Sequence, residues 1–317
     1  MLLSAIKEND NNETRVSISP ESVKLFSRLG FEVIIENGAG ETSGYQNSNY
    51  EEAGAKIVTR SECLKADVCL CVRMPSTDDI NNLKSNSLLI GILNPYENKS
   101  EFSNLNKNKI SSCCMELIPR ISRAQSMDVL SSQANLAGYR SVIDAAEQFG
   151  KAFPMMMTAA GRVNPAKVMI LGVGVAGLQA IATAKRLGAV VSATDVRAAT
   201  KEQVESLGGK FIMVEDDEAQ NAETAGGYAK EMSEDYKKKQ AQLIAETVSK
   251  QDIVICTALI PGKKAPVLIT EEMVSSMIPG SVVIDLAVEA GGNCPLSKMN
   301  EIVTVSYTHL TLPTTGI

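Results

Sequence analysis

The chain is almost without histidine: among its 317 residues there is one, His309, close to the C-terminus. No apolar run approaches the roughly 18 residues that a membrane-spanning helix requires, so no part of it is expected to cross a bilayer. A concentrated basic stripe is missing too. The 31 Lys and Arg stand against 37 Asp and Glu, leaving a net charge of −6, and the phosphates of a nucleic acid would meet no complementary surface. The seven cysteines include no C-x-x-C pair of the zinc or redox kind, which leaves reduced, mostly buried thiols and no metal site. The N-terminal stretch "MLLSAIKENDNNETRV" lacks the apolar core and small-residue cleavage site of a signal peptide and reads as a first strand followed by a polar loop. What remains is ordinary globular material, 44% hydrophobic and 21% charged, long enough for two domains that each bury a core.

Up to about residue 125, short apolar runs alternate with helix-like segments, the rhythm of a parallel sheet. "RVSISPESVKLFSRLGFEVIIENGAG" shows the rules. Ser19 caps a helix, Pro20 suits its first turn, Val23, Phe26 and Leu29 share a face, Gly30 stops it, and "FEVII" follows as a strand. "ADVCLCV", "SLLIGIL" and "KISSCCMEL" are further strands, each closed by a proline, Pro75, Pro95 or Pro119. "SMDVLSSQANLAGYRSVIDAAEQFG" then carries a helical period, expected as a linking helix over 126–150 that stops at Gly150. A second domain over 151–305 opens with "AKVMILGVGVAGLQAIATAKRLGAVVSATD", and "GGKFIMV", "DIVICTAL" and "GSVVIDLAV" supply later strands. Between Glu215 and Gln251 lies a long insertion, acidic at first, with a Gly226-Gly227-Tyr228 hinge and a polar helix. An insertion of that length with internal glycines suits a flap or a surface loop.

The sharpest signal is Gly172, Gly174 and Gly177 in G-x-G-x-x-G. It follows the apolar strand "KVMIL" and opens an amphipathic helix, and Asp195 closes the next strand. In that setting the pattern marks a dinucleotide site. Gly172 allows the tight turn, Gly174 lets backbone amides approach a pyrophosphate, and Gly177 permits close helix-to-strand packing, while the helix N-terminus favours the phosphate charge. Asp195 accepts hydrogen bonds from ribose hydroxyls and repels a 2′-phosphate, which favours NAD(H) over NADP(H). Arg197 tempers that preference, since an arginine there suits a 2′-phosphate or covers the adenine.

Oxidising an alcohol or amine moves a proton as well as a hydride, commonly through His, Lys, Tyr or a carboxylate. Hydride transfer from one nicotinamide to another needs only close, well-oriented rings. A chain with no histidine before residue 306 suits the second reaction, although lysine or tyrosine can stand in for histidine in the first.

"RVSISPE", "RAQSMDVLSSQANLAGYR", "MMMTAAG", "GVGVAGLQAIATAKRLGAVVSATDVR", "AETAGGYAKEM", "TALIPG" and "DLAVEAGGNCPLS" together resemble the NAD(H)-binding components of the proton-translocating nicotinamide nucleotide transhydrogenases. The resemblance runs from about Arg15 to Val303. It implies an α/β fold of two Rossmann-like domains with parallel sheets and the nucleotide in the cleft between them. It also implies a homodimer, cytoplasmic and peripheral on the membrane, that passes hydride from NADH to NADP+ held by a partner NADP(H)-binding component. A transmembrane proton-channel component of the same complex would couple that transfer to proton movement.

By the same resemblance Arg120, Gln125, Asp128 and Ser131 lie at the nicotinamide end and orient the ring. A polar linker in which Ser126 or Asp128 caps the long helix is the plainer reading of that loop. Val175 would lie at the pyrophosphate, Asp195, Val196 and Arg197 at the adenosine, and Ala258 and Leu259 under the nicotinamide side. Gly227, Tyr228 and Gln240 belong to an insertion that resembles the family's loop over bound nucleotide.

Alanine dehydrogenases resemble the chain over much the same length and supply the alternative, an NAD-dependent amino acid dehydrogenase. Their substrate pocket uses an arginine, a lysine before a proline and a histidine. Arg15 is kept here, but Arg73 stands for the lysine and Asn94-Pro95-Tyr96 for the histidine, and Glu289 occupies the position of an acid. A truncated NAD(H)-binding regulatory protein is a third reading. The stretch 306–317, "SYTHLTLPTTGI", departs from the family pattern, so the second domain is expected to be truncated, the tail artefactual and His309 without function.

Overall fold

In the computed structural model, residues 1–119, 121–214, 233–260, 263–305 and 308–311 are described. They form two compact units, Met1–Leu130 and Ser131–Thr314.

The first unit runs β1 (Leu2–Ala5), α1 (Pro20–Arg28), β2 (Glu32–Glu36), α2 (Asn47–Glu52), β3 (Lys56–Val58), α3 (Arg60–Cys63), β4 (Val68–Leu70), α4 (Thr77–Asn82), β5 (Leu88–Gly91), α5 (Lys99–Lys107) and β6 (Ser111–Cys114). Its sheet is parallel throughout, in the order β3-β2-β1-β4-β5-β6. Short apolar strands separated by helices can pair only this way, and helices then cover both faces. Burial follows the pleat: Ile34 packs with Leu89 and Ile110 on one face, while its neighbours Val33 and Ile35 pack with Leu3, Val23 and Tyr50 on the other. Ser19 Oγ accepts from Ser22 N at 3.3 Å, Pro20 opens α1, and Gly30 beyond its end takes φ +87°. Leu29 departs from the expected apolar face: it is the capping residue, 73% exposed, because the helix ends at Arg28.

The second unit takes up most of α6 (Val129–Gln148), an antiparallel hairpin of β7 (Met156–Thr158) and β8 (Gly161–Val163), and then β9 (Lys167–Leu171), α7 (Val175–Arg186), β10 (Val190–Thr194), α8 (Thr200–Ser206), β11 (Lys210–Phe211), α9 (Glu234–Val248), β12 (Ile253–Cys256), α10 (Glu271–Ser276), β13 (Val282–Asp285), β14 (Val303–Val305) and β15 (Thr308–Thr311). The sheet order is β11-β10-β9-β12-β13-β15-β14, parallel except between β14 and β15. β15 lies in the stretch read as departing from the family pattern, and its backbone pairs with β13, Val282 opposite His309. "GGKFIMV" contributes only Lys210–Phe211, at the edge of the sheet.

The helix expected as a linker over 126–150 starts at Val129, after a 3-10 turn over Ser122–Met127. From Ser131 it belongs to the second unit. Val142, Ala145 and Phe149 pack with Ile170, Ile181 and Ala184 in one core. Its approach to α7 is close. A β-carbon on Gly138 would stand 2.1 Å from the Ala176 carbonyl oxygen, so only glycine fits. Asn135 Nδ2 donates across the same crossing to Gln179 Oε1 at 3.2 Å.

Gly138→Ala is therefore expected to push α6 off the start of α7 and to destabilise the fold by about 1–3 kcal/mol. A urea denaturation midpoint equal to wild type would contradict the tight crossing.

Candidate functional site

β9 and β12 are neighbours whose flanking strands run outward in opposite directions, so the crevice beyond their carboxyl ends is the switch point of the second sheet, where open α/β sheets take ligands. The turn from β9 into α7 forms one side. Gly172 has φ +101°, and a β-carbon there would meet Thr257 Oγ1 at 2.8 Å and Ala258 N at 3.1 Å. A β-carbon on Gly177 would lie 2.0 Å from the Gly172 carbonyl oxygen, so the first turn of α7 rests directly on the strand end. Gly174 differs: nothing lies within 4 Å of the place its β-carbon would take.

That open space lies at the start of α7. The first N–H groups of a helix have no partner inside it. Gly174, the N-cap of α7, provides no side-chain hydrogen bond, and the first turn has no acidic residue to meet the positive end of the helix dipole. A diphosphate fits such a cradle, and a side chain at Gly174 would fill it.

Asp195 follows β10 and reaches back to the turn. Its Oδ2 accepts from Val173 N at 2.7 Å, and its Oδ1 accepts from Arg197 N and Arg197 Nε at 2.9 Å each. A second guanidinium nitrogen of Arg197 donates to Oδ2 at 3.0 Å and to the Val173 carbonyl oxygen at 3.2 Å. Burial by itself would raise the Asp195 pKa. The hydrogen bonds from Arg197 and Val173 outweigh it and hold the carboxyl below the ordinary aspartate value. Gln240, on α9, ties this edge to its surroundings: Nε2 donates to Thr194 Oγ1 at 3.1 Å and Oε1 accepts from Val214 N at 2.9 Å.

The opposite side of the crevice is the segment after β12. Thr257 Oγ1 donates to the Gly172 carbonyl oxygen at 2.9 Å, and Thr257 N donates to the Leu171 carbonyl oxygen at 2.9 Å. Ala258 is half-buried, and Leu259 and Ile260 project as exposed apolar side chains.

Gly172, Gly174, Val175, Gly177, Asp195, Ala258 and Leu259 thus gather around one crevice, with Gln240 braced behind Asp195 and Val196 exposed beside it. Gln125 is exposed in the 3-10 turn, Asp128 follows that turn half-buried, and Ser131 lies in the first turns of α6. Arg120, Gly227 and Tyr228 lie outside the described residues. Thr257, Asp285, Asn293 and Gly138 escape the sequence reading, because their roles arise from contacts with segments far along the chain. A threonine two places before a leucine has no local signature of a hydroxyl seated on a glycine turn.

The model of the alanine dehydrogenase/PNT N-terminal domain matches residues 4–137, and that of the C-terminal domain matches 141–314. An NAD(P) transhydrogenase alpha subunit chain of Rhodospirillum rubrum is 60% identical over 310 residues, covering 96% of this chain and 81% of that protein. The alanine dehydrogenase of Bacillus subtilis is 30% identical over 299 residues, covering 92% of this chain and 72% of that protein. A solved transhydrogenase structure from Sinorhizobium meliloti superposes with a TM-score of 0.92 at 51% identity, covering 99% of this chain and 86% of that one.

The depressed Asp195 pKa makes stability depend on pH in a defined direction. A group with a folded pKa below its unfolded one contributes fully above the unfolded value and loses that contribution as pH falls through the folded value. The window here begins at the ordinary aspartate value of 3.8 and extends below it. Asp195→Asn should shrink the drop in melting temperature between pH 7 and pH 3. An unchanged drop would show that the Arg197 pairing does not hold in solution.

Proposed function

The chain belongs to the alanine dehydrogenase/PNT family, and within it we propose the role of NAD(H)-binding component of a proton-translocating transhydrogenase. It holds NADH while hydride passes to NADP+ on a partner NADP(H)-binding component, coupled to proton movement through a transmembrane component of the same complex. The carrying observation is the open, uncapped start of α7 above Gly174 at the β9–β12 switch point, in a chain similar to transhydrogenase alpha subunits along most of its length.

On this reading the diphosphate takes the α7 N-terminus at Gly174 and Val175, held against the strand by Gly172 and Gly177. Asp195 receives the adenosine ribose, which must compete with the Arg197 guanidinium for Oδ1, and Val196 and Arg197 flank the adenine. The Asp195 carboxylate disfavours a 2′-phosphate, which makes NAD(H) the nucleotide of this chain. Ala258 and Leu259 lie under the nicotinamide, and Gly227, Tyr228 and Gln240 belong to the segment that covers the nucleotide. Arg120, Gln125, Asp128 and Ser131 orient the ring toward its acceptor. Hydride exchange between two nicotinamides asks for close, correctly turned rings and no acid or base at the reacting carbons. The chain acts as a homodimer on the cytoplasmic side. Among the described residues no helix is long and apolar enough to cross a membrane, and the reading assigns that span to a partner.

The amino acid dehydrogenase alternative asks for a proton acceptor in the first unit. Asn94 instead holds a left-handed turn at φ +45° and donates through Nδ2 to Glu97. Arg73 Nε pairs with Glu13 Oε2 at 3.0 Å, and Arg15 pairs with the same carboxylate at 2.6 Å. An asparagine, a proline and a tyrosine stand where the alanine dehydrogenases carry a histidine.

The test mixes this chain with a separately produced NADP(H)-binding component and follows hydride transfer from NADH to an NADP+ analogue. Transfer should occur only in the mixture and should slow on the order of ten- to a hundred-fold with Gln125→Asn, which shortens the side chain at the ring. Pyruvate- and ammonia-dependent NADH oxidation by this chain alone would replace the reading with an amino acid dehydrogenase. Binding without turnover in the mixture would replace it with a regulatory NAD(H)-binding protein.

A further inference from the structure

A polar network built on two fully buried side chains, Asn293 and Asp285, stands behind the segment after β12. Its centre is Asn293. The side chain grips one residue from both sides: Oδ1 accepts from Ala258 N at 3.1 Å, and Nδ2 donates to the Ala258 carbonyl oxygen at 3.0 Å. The second Nδ2 hydrogen goes to the Pro266 carbonyl oxygen at 2.7 Å. The backbone of Asn293 is engaged as well, donating to Asp285 Oδ2 at 2.8 Å and accepting from Leu268 N at 2.9 Å and Ile269 N at 3.1 Å. Every donor it owns is used.

Asp285 holds Asn293 in that place. It ends β13 with no exposure to solvent, and its carboxylate accepts from three backbone groups: Ala287 N at 2.9 Å, Asn293 N at 2.8 Å and Cys294 N at 3.0 Å. The chain between turns twice through left-handed glycines, Gly291 at φ +98° and Gly292 at φ +78°. A β-carbon on Gly292 would stand 3.0 Å from Asp285 Oδ2. A tight loop wrapped around one carboxylate thus returns Asn293 beneath Ala258.

An apolar side chain would fill the same space but leave the Ala258 N–H and the Ala258 and Pro266 carbonyls without these partners. An amide fixes what an apolar group cannot, the orientation of the peptides on both sides of the Ala258 α-carbon. Directly beyond that fixed point Leu259 and Ile260 stand 55% and 46% exposed at the switch point. Large apolar side chains presented by a braced backbone are suited to being covered by a flat, weakly polar ring.

We propose that Asn293, seated by Asp285, is a positioning residue that sets the Ala258–Leu259 surface against the nicotinamide end of the nucleotide while leaving the adenosine end to the glycine turn and Asp195. The assignment rests on the nucleotide reading given above.

The two are separable with two ligands, NADH and ADP-ribose, which lacks the nicotinamide. Both are titrated against wild type, Asn293→Ala and a stability control, Thr270→Ala, which removes the cap of α10, where Thr270 Oγ1 accepts from Met273 N. NADH affinity should fall at least about ten-fold in Asn293→Ala, with ADP-ribose within about two-fold of wild type and neither ligand affected in the control. Should Asn293→Ala not fold, Asn293→Asp keeps the acceptor for Ala258 N, loses both donors and carries the same comparison. Equal loss of both ligands, loss of neither, or failure of both variants to fold overturns the assignment, since each describes a brace for the fold alone. A wild type that binds neither ligand overturns the nucleotide reading itself.

Discussion

The second unit is organised by one steric fact: a β-carbon at Gly177 would fall 2.0 Å from the Gly172 carbonyl oxygen. With glycine there, the first turn of α7 sits on the end of β9, and the N–H groups at the start of the helix open onto the crevice beyond the sheet. The same tightness recurs at Gly138, where α6 meets the first turn of α7 at Ala176. Two close backbone approaches therefore fix the position of one helix start, and that start supplies the positive partial charge a diphosphate needs. Gly174, between them, is the position left open.

Around this turn the polar groups are paired in ways that constrain what can bind. Asp195 is tied to Val173 N, at the turn itself, and to Arg197. The carboxylate is thus held at the turn while part of its accepting capacity is lent to a guanidinium. In the first unit Arg15 and Arg73 converge on Glu13, whose side chain is only 1% exposed. Isolated buried charges are expensive, and Asp195 and Glu13 are both met by arginine donors. The two differ in their surroundings: Glu13 takes donors from two arginines, one of them 38% exposed, whereas the turn at Gly174 is open.

Much of this was legible in the residues. Strand, glycine turn and helix from Lys167 to Arg186 follow from an apolar run, three spaced glycines and a helical period, because each of those signals is local. The same holds for α1, where Ser19, Pro20 and Gly30 punctuate the helix. The long helix was legible in its period, while Gly138 shows its purpose only once Ala176 is beside it. Arg197 reads equally well as a ligand for phosphate or as a cover for adenine, and its pairing with Asp195 depends on a backbone turn that sequence does not specify. Asn293 is least legible of all, because its hydrogen bonds reach 27 and 35 residues back along the chain and leave no periodic trace.

A crystal structure of the chain with NADH bound shows whether the nucleotide takes the start of α7. The diphosphate is expected at the N-terminus of α7 over Gly174 and the adenosine ribose on Asp195, with the Arg197 guanidinium displaced from Oδ1. Nucleotide bound elsewhere, with the pairing of Asp195 and Arg197 intact and the space above Gly174 filled only by solvent, would contradict that placement.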